Sequence, residues 1–184
     1  MCEPGAPGRT LVLGLGNPLR GDDGVGAAAL DSLRSSSLVP PWVHLWSAQD
    51  GDVLGPVLSE HWRRIVVIDA ADLGKAPGGW MRLGAGALAV LPGRASSHRV
   101  SLVDALGIAQ ALGQAPDRLT IFAVQPLSID WGSGLSEPLA QALAGLVEAV
   151  LWEVGAPAGP GGRTFCRMPQ EQASHVREER LALG

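Results

Sequence analysis

Three residues stand where they could hold a divalent metal ion: Asp23, Asp69 and His98. Asp23 follows an aliphatic segment and a glycine turn, Asp69 ends the run 65–68, and His98 lies in a loop before a predicted helix. Ligands of open α/β sheets bind beyond the carboxyl ends of the strands, so these side chains are expected at one rim. Two carboxylates and one imidazole suit nickel, zinc or a similar divalent ion. Three protein ligands leave coordination positions open, for a catalytic water or for an ion delivered by another molecule.

Each of these residues also has an ordinary structural interpretation. Asp22 or Asp23 precedes an apolar helix, where an aspartate commonly caps the first turn. Asp69 ends a buried strand, where a carboxylate needs a polar partner, and a single loop histidine such as His98 is usually exposed. The remaining histidines lie in a strand, at a helix end and near the carboxyl terminus, without a nearby ligand pattern: His44, His61 and His175. Both interpretations stay open at this point, because separation in sequence supplies no distances.

Alternating strands and helices are predicted to position these residues. Short aliphatic or alternating runs predict strands at Leu11–Leu15, Trp42–Trp46, Arg64–Ile68, Gly78–Leu83 and Leu119–Val124, with the fourth at an edge. Helices are predicted from Asp22 or Asp23 to about Leu33, at Val53–Trp62, at Ser101–Leu112 after a Ser-x-x-Asp capping pattern, and from Leu135 to about Val154. This alternation favours right-handed crossovers. We therefore expect a single-domain α/β three-layer sandwich, with a mostly parallel sheet and helices on both faces.

Composition narrows the classes of function. The 184 residues comprise 46% hydrophobic and 17% charged residues, which is typical of one globular domain. A formal net charge of -4 argues against nucleic acid as a partner. The chain has two cysteines, Cys2 and Cys166, and shows no secretory signal or apolar run of membrane-spanning length, so we expect a cytoplasmic protein that does not bind membranes. Residues 1–154 are predicted to form the domain, and the Gly/Pro-rich residues 155–184 a tail.

Familiar catalytic motifs are missing from the sequence. It contains neither a Gly-x-Ser-x-Gly elbow nor a His-Glu-x-x-His helix, which argues against standard serine proteases and zincins. The segment Gly14-Leu-Gly-Asn-Pro-Leu matches neither a dinucleotide fingerprint nor a phosphate-binding loop, so its glycines are expected to permit a tight turn.

The amino-terminal motif resembles the opening of the nickel-iron hydrogenase maturation proteases. That family begins with an aliphatic strand, Gly-x-Gly-Asn and Asp-Asp/Glu-x-x-Gly, and this chain reads LVLGLGNPLRGDDGVG from Leu11. The resemblance extends to about Val150 through Val66–Ala70, Ser97-His98 before a Leu-x-Asp-x-Leu helix, Val124-Gln-Pro and Gly134-Leu-Ser. The segment that starts at Trp46 matches the family's acidic-glycine segment only loosely, and the resemblance assigns no family counterpart to the residues after Gly155.

The resemblance implies an activity and a site. It implies an endopeptidase that removes a short carboxyl-terminal extension from a hydrogenase large-subunit precursor after nickel insertion. Asp23, Asp69 and His98 match the family's metal-binding positions and would form both the metal site and the catalytic centre. The nickel would be carried by the precursor and serve as the recognition signal, with no tightly held cofactor of the protease itself. The attacking nucleophile is left open by the resemblance.

Two other functions are compatible with part of the pattern. Peptidyl-tRNA hydrolases also open with a strand followed by Gly-Leu-Gly-Asn-Pro, but this chain lacks their Arg-His-Asn element and is acidic. A non-catalytic nickel-dependent chaperone or sensor of the precursor would use the same metal ligands without cutting. Cleavage of a nickel-loaded precursor would separate the protease from the sensor.

Overall fold

A five-stranded sheet forms the centre of the part of the chain that the structure describes. The structure is a computed structural model that describes residues 8–48, 52–86 and 98–155, without the side chains of residues 98–101. Its strands are β1 (Thr10–Leu15), β2 (Val43–Ala48), β3 (Arg64–Ala70), β4 (Trp80–Gly84) and β5 (Arg118–Val124). Their order is β2-β1-β3-β5-β4, with β4 antiparallel to β5 and the other pairs parallel. The predicted mostly parallel α/β sheet, with its edge strand near residue 80, is confirmed.

Helices cover both faces of this sheet. They are α1 (Val25–Arg34), α2 (Leu54–Leu58), α3 (His98–Ala111) and α4 (Glu137–Glu153). Within the described ranges, none of the helices is long and apolar enough to cross a membrane. Residues of α1 and α4 join the core on one face, and residues of α2 and α3 join the core on the other.

The central strands are aliphatic because both of their faces are buried. In β3, Ile65 and Val67 join a core with residues of α2 and α3, whereas Val66 and Ile68 join a core with residues of α1 and α4. Alternation along a strand sends successive side chains to opposite faces, so a strand between two helix layers needs apolar residues throughout. The three-layer arrangement follows from this pattern.

Of the helix boundaries, two differ most from the sequence prediction. The helix expected at Val53–Trp62 ends at Leu58, because the Pro56 carbonyl accepts hydrogen bonds from the Ser59 hydroxyl and, at 2.9 Å, from the Trp62 indole N–H. The helix expected to start at Ser101 begins at His98, so the Ser-x-x-Asp pattern lies inside the helix rather than at its cap. His98-Arg-Val contains no glycine or proline to prevent this earlier start.

Candidate active site at the carboxyl end of the sheet

Asp69 lies at the carboxyl end of the central strand of the sheet. It is buried in β3, where it pairs in register with Ala123 of β5. Asp69 alternates with Val67 and Ala71, both members of the core formed with α2 and α3. The side chain therefore belongs to the face of the sheet that α3 covers.

Asp23 is brought to the same end of the sheet by the turn after β1. It is buried in a 3-10 turn (Gly21–Gly24) that directly precedes α1 and packs against β3. The Asn17 N–H donates a hydrogen bond of 2.8 Å to Asp23 Oδ2. Gly16 has φ +106°, and a Cβ there would overlap the Asp23 carbonyl oxygen. Glycine at position 16 thus allows the chain to fold back closely enough to hold Asp23.

Asp22 performs a different task from its neighbour. Its buried carboxylate accepts hydrogen bonds from the Ser136 N–H (2.7 Å), the Ser136 hydroxyl (2.8 Å) and the Leu127 N–H (2.8 Å), with Ser128 N–H at 3.4 Å. The 3-10 turn is thereby tied to the segment after β5 and to the start of α4.

This hydrogen bonding keeps Asp22 ionised. Burial raises the pKa of the Asp22 carboxyl. The hydrogen bonds from Ser136, Leu127 and Ser128 together lower this pKa by more than burial raises it, so the net pKa lies below the ordinary aspartate value. The prediction that Asp22 or Asp23 caps the following helix is wrong, because Gly24 occupies the cap position of α1 and no side chain bonds there. Asp22 instead serves as a tether, because its carboxylate accepts hydrogen bonds from the backbone N–H groups of Leu127, Ser128 and Ser136.

His98 is the first residue of α3 rather than part of a preceding loop. The 14 residues of α3 span about 21 Å. A seven-residue strand spans about 23 Å, so α3 is nearly as long as the strands it covers. Since α3 ends at Ala111 and the chain then enters the amino end of β5 at Arg118, the start of α3 lies towards the carboxyl end of the sheet. The backbone thus brings His98 to the edge and face of Asp69, although its side chain lies outside those described.

The backbone therefore places the three predicted residues at one edge, with the two carboxylates buried. Among side chains that the structure describes, no group of three His, Cys, Asp or Glu is arranged to hold a metal ion. The metal-ligand set Asp23, Asp69 and His98 remains a prediction, because the structure does not describe the His98 side chain.

The other titratable residues considered above have structural surroundings. His44 packs edge-on against the Trp62 ring, with the ring centroids 5.1 Å apart, and His61 is exposed; His175 lies outside the described residues. Sequence reasoning also missed Glu153, which is buried at the end of α4 and bonds Arg82 at 2.7 Å and the Thr120 hydroxyl at 3.1 Å. This ion pair lies towards the amino end of the sheet, away from Asp69.

Comparison with known families gives a consistent match. The family model described as hydrogenase maturation protease (HycI) matches residues 50–153. The hydrogenase expression/formation protein HupD of Rhizobium leguminosarum bv. viciae is 30% identical over 188 residues, covering 97% of this chain and 92% of that protein. The hydrogenase 2 maturation protease of Escherichia coli is 30% identical over 148 residues, covering 78% of this chain and 88% of that one.

Solved structures agree with these matches. The hydrogenase maturating endopeptidase HybD from Escherichia coli superposes with a TM-score of 0.71 at 28% identity, covering 80% of this chain and 94% of that one. A hydrogenase 2 maturation peptidase from a Thaumarchaeota archaeon gives 0.62 at 27% identity, covering 80% and 98%. The similarity thus extends over most of the length of both solved proteins.

Proposed function

Because this chain belongs to the hydrogenase maturation protease family, we propose that it removes a carboxyl-terminal extension from a nickel-hydrogenase large-subunit precursor after nickel insertion. The family membership makes the chain a peptidase. The substrate, the cleavage position and the requirement for nickel are the proposed part.

The observation that carries the proposal is the pair of buried carboxylates, Asp23 and Asp69, at the edge of the sheet where α3 begins with His98. Two carboxylate oxygens and one imidazole nitrogen suit nickel. An incomplete set of protein ligands also suits an ion that the precursor already holds, because each partner then supplies part of the coordination shell.

In this proposal the nickel ion belongs to the precursor, and its position determines where the precursor binds. Coordination by Asp23, Asp69 and His98 fixes the precursor so that its scissile peptide lies at the carboxyl edge of the sheet. Hydrolysis adds water across that peptide bond, and a carboxylate at the edge accepts the proton of the attacking water. A precursor without nickel lacks the bridging ion and is not cut.

The direct test is incubation of the protein with nickel-loaded precursor, followed by mass spectrometry of the precursor. We expect loss of a carboxyl-terminal fragment, and no loss from nickel-free precursor. Asp23→Asn and Asp69→Asn should each abolish cleavage, since they remove an anionic ligand while keeping side-chain shape. Asp31→Asn is the matched control, because Asp31 is exposed on α1 and pairs only with Arg34 among the ion pairs that the structure describes.

Two outcomes would contradict the proposal. A stable complex with nickel-loaded precursor that never loses mass would make the protein a non-catalytic sensor. Normal cleavage by a folded Asp23→Asn or Asp69→Asn variant, with folding checked by circular dichroism, would remove that residue from the site.

A further inference from the structure

An exposed apolar surface adjoins the candidate site. Leu19, Leu127, Ile129 and Trp131 are between 44% and 77% exposed. They lie on the two segments that follow β1 and β5, which we call the rim segments (residues 16–21 and 126–134). Solvent-exposed large apolar side chains grouped in this way commonly mark an interaction site.

The two rim segments are bonded into one surface. Gly132 N–H donates to the Leu19 carbonyl at 2.9 Å, Gly21 N–H donates to the Gly132 carbonyl at 2.8 Å, and Arg20 Nε donates to the Ile129 carbonyl at 3.2 Å. The Arg20 guanidinium also lies 5.7 Å from the Trp131 ring centroid. These bonds fix the backbone beneath the exposed side chains, so a partner does not have to order them on binding.

This surface is continuous with the residues proposed to bind nickel. Asp22 joins the rim segments through Leu127 and Ser128, and its chain neighbour is Asp23. The strands that lead into the rim segments, β1 and β5, flank β3, whose carboxyl end carries Asp69. A macromolecule whose metal ion reaches Asp23 therefore has the rim segments beside it, because Asp22 of the same turn bonds Leu127 and Ser128.

We propose that the rim segments dock the body of the precursor through an apolar stretch of its polypeptide, independently of nickel; this rests on the proposed function. Trp and Arg are among the residue types that most often dominate protein interfaces, and here the Arg20 guanidinium lies over the Trp131 ring. Leu19, Leu127 and Ile129 add aliphatic area around them, which fits apolar side chains of a partner. Docking at the rim brings the precursor to the site, and nickel coordination then selects the mature form for cleavage.

The test uses Trp131→Ala and Leu19→Ser in the full-length protein. Matched controls are Trp152→Ala, near the end of α4, and Leu112→Ser, in the turn directly after α3; their parent side chains are 50% and 61% exposed. The first measurement is the Kd of nickel-free precursor by biolayer interferometry, and the second is the KM and kcat for nickel-loaded precursor. We expect the rim variants to raise Kd and KM about tenfold or more with kcat unchanged, and the controls to match the parent.

The outcomes separate this inference from the proposed function. If the parent binds precursor through Trp131 but never cuts it, the docking surface stands and the proposed function fails. Normal cleavage with parental Kd and KM in the rim variants overturns the docking surface and leaves the proposed function intact. A parent that sediments as a dimer, with a monomeric Trp131→Ala variant of parental Kd, overturns it as well, because the surface would then bind a second copy of this chain.

Discussion

At the scale of single residues, two adjacent aspartates have separate tasks because their surroundings differ. Asp22 receives backbone and hydroxyl donors from Leu127, Ser128 and Ser136, so its negative charge is stabilised by hydrogen bonds within the protein. Asp23 lies beside it on the same 3-10 turn, with its Oδ2 held by the Asn17 N–H. The tether made by Asp22 thus fixes the position from which Asp23 would reach a metal ion.

We predict that Asp22 stabilises the fold in a pH-dependent manner. Its pKa is lower in the folded protein than in the unfolded chain, where an aspartate has a pKa of about 3.9. Its contribution is therefore fully present above that value and is lost as the pH falls through the folded pKa. Asp22→Asn should lower the free energy of unfolding by about 2–4 kcal/mol at pH 7, because buried donors lose a charged acceptor. Urea denaturation at pH 7 and pH 3 should show this deficit shrinking at the lower pH.

Asp31→Asn provides the comparison for the Asp22 experiment. Asp31 is an exposed carboxylate paired with Arg34 at 2.8 Å, and exposed ion pairs contribute less than about 1 kcal/mol. An Asp22→Asn deficit that is no larger than that of Asp31→Asn, or that does not change between the two pH values, would contradict the tether.

We also predict that the free protein binds divalent nickel, zinc or cadmium weakly, because three ligands leave the coordination shell incomplete. Isothermal titration calorimetry should show His98→Ala losing about tenfold or more in affinity. His61→Ala is the matched control, since His61 is exposed just after α2. Parental affinity in His98→Ala would exclude the proposed ligand set.

Some of these site residues could be predicted from the sequence, but their contacts could not. Asp69 stood out because a carboxylate ended a buried strand, and strand ends collect ligands. Nothing in the sequence connects Asp22 to Ser136, because that contact joins segments far apart in the chain. The helix-cap prediction failed for the same reason. The Asp22 carboxylate accepts hydrogen bonds from distant residues instead of from the first turn of α1.

At the scale of elements, the position of the site depends on how closely α1 approaches β1. A Cβ at Gly14 would lie 2.5 Å from the Gly26 carbonyl oxygen, and a Cβ at Gly26 would overlap the Leu15 carbonyl oxygen and lie 2.7 Å from the Leu15 nitrogen. Only glycine fits at both positions without a backbone shift. The 3-10 turn that carries Asp23 ends at Gly24, directly before α1, so moving α1 moves that turn.

We predict that Gly26→Ala lowers the free energy of unfolding by about 1–3 kcal/mol, because the added methyl forces backbone apart. It should also lower the rate of precursor cleavage by displacing Asp23. Gly145→Ala is the matched helical control: it has open space around it in α4 and should be neutral or stabilising by up to about 1 kcal/mol. Thermal unfolding and cleavage rates measure both effects. Equal stability and activity in the two variants would show that the α1–β1 contact is not required.

The elements themselves were largely predictable, because aliphatic strands between polar turns have few alternative structures. The order of the strands and the antiparallel direction of β4 depend on contacts between distant segments, so the hydrophobic periodicity of each segment does not predict them. The shortened α2 shows a further limit, since side-chain hydrogen bonds from Ser59 and Trp62 to the Pro56 carbonyl accompany the end of the helix.

At the scale of the whole molecule, the end of α4 is anchored to both the core and the sheet. Val150 and Val154 belong to the core with α1, and Glu153 bonds Arg82 and Thr120. Gly155 follows with φ +77°, a backbone conformation that commonly terminates helices. The division into a domain (residues 1–154) and a tail (155–184) stays a prediction, because residues 156–184 lie outside the described part of the chain.

We predict that a chain ending at Gly155 folds and cleaves precursor as the full-length protein does. The reason is compositional: the segment after Gly155 opens with a Gly/Pro-rich stretch and offers few apolar residues to bury. A chain ending at Leu151 is the matched control, because it also removes Glu153 and Val154 and should lose much of its stability. Differential scanning calorimetry should find the first midpoint within about 5 °C of the full-length value and the second well below it. A larger fall for the chain ending at Gly155 would show that the tail packs on the domain, and an unchanged midpoint with lost cleavage would show that the tail contacts the precursor.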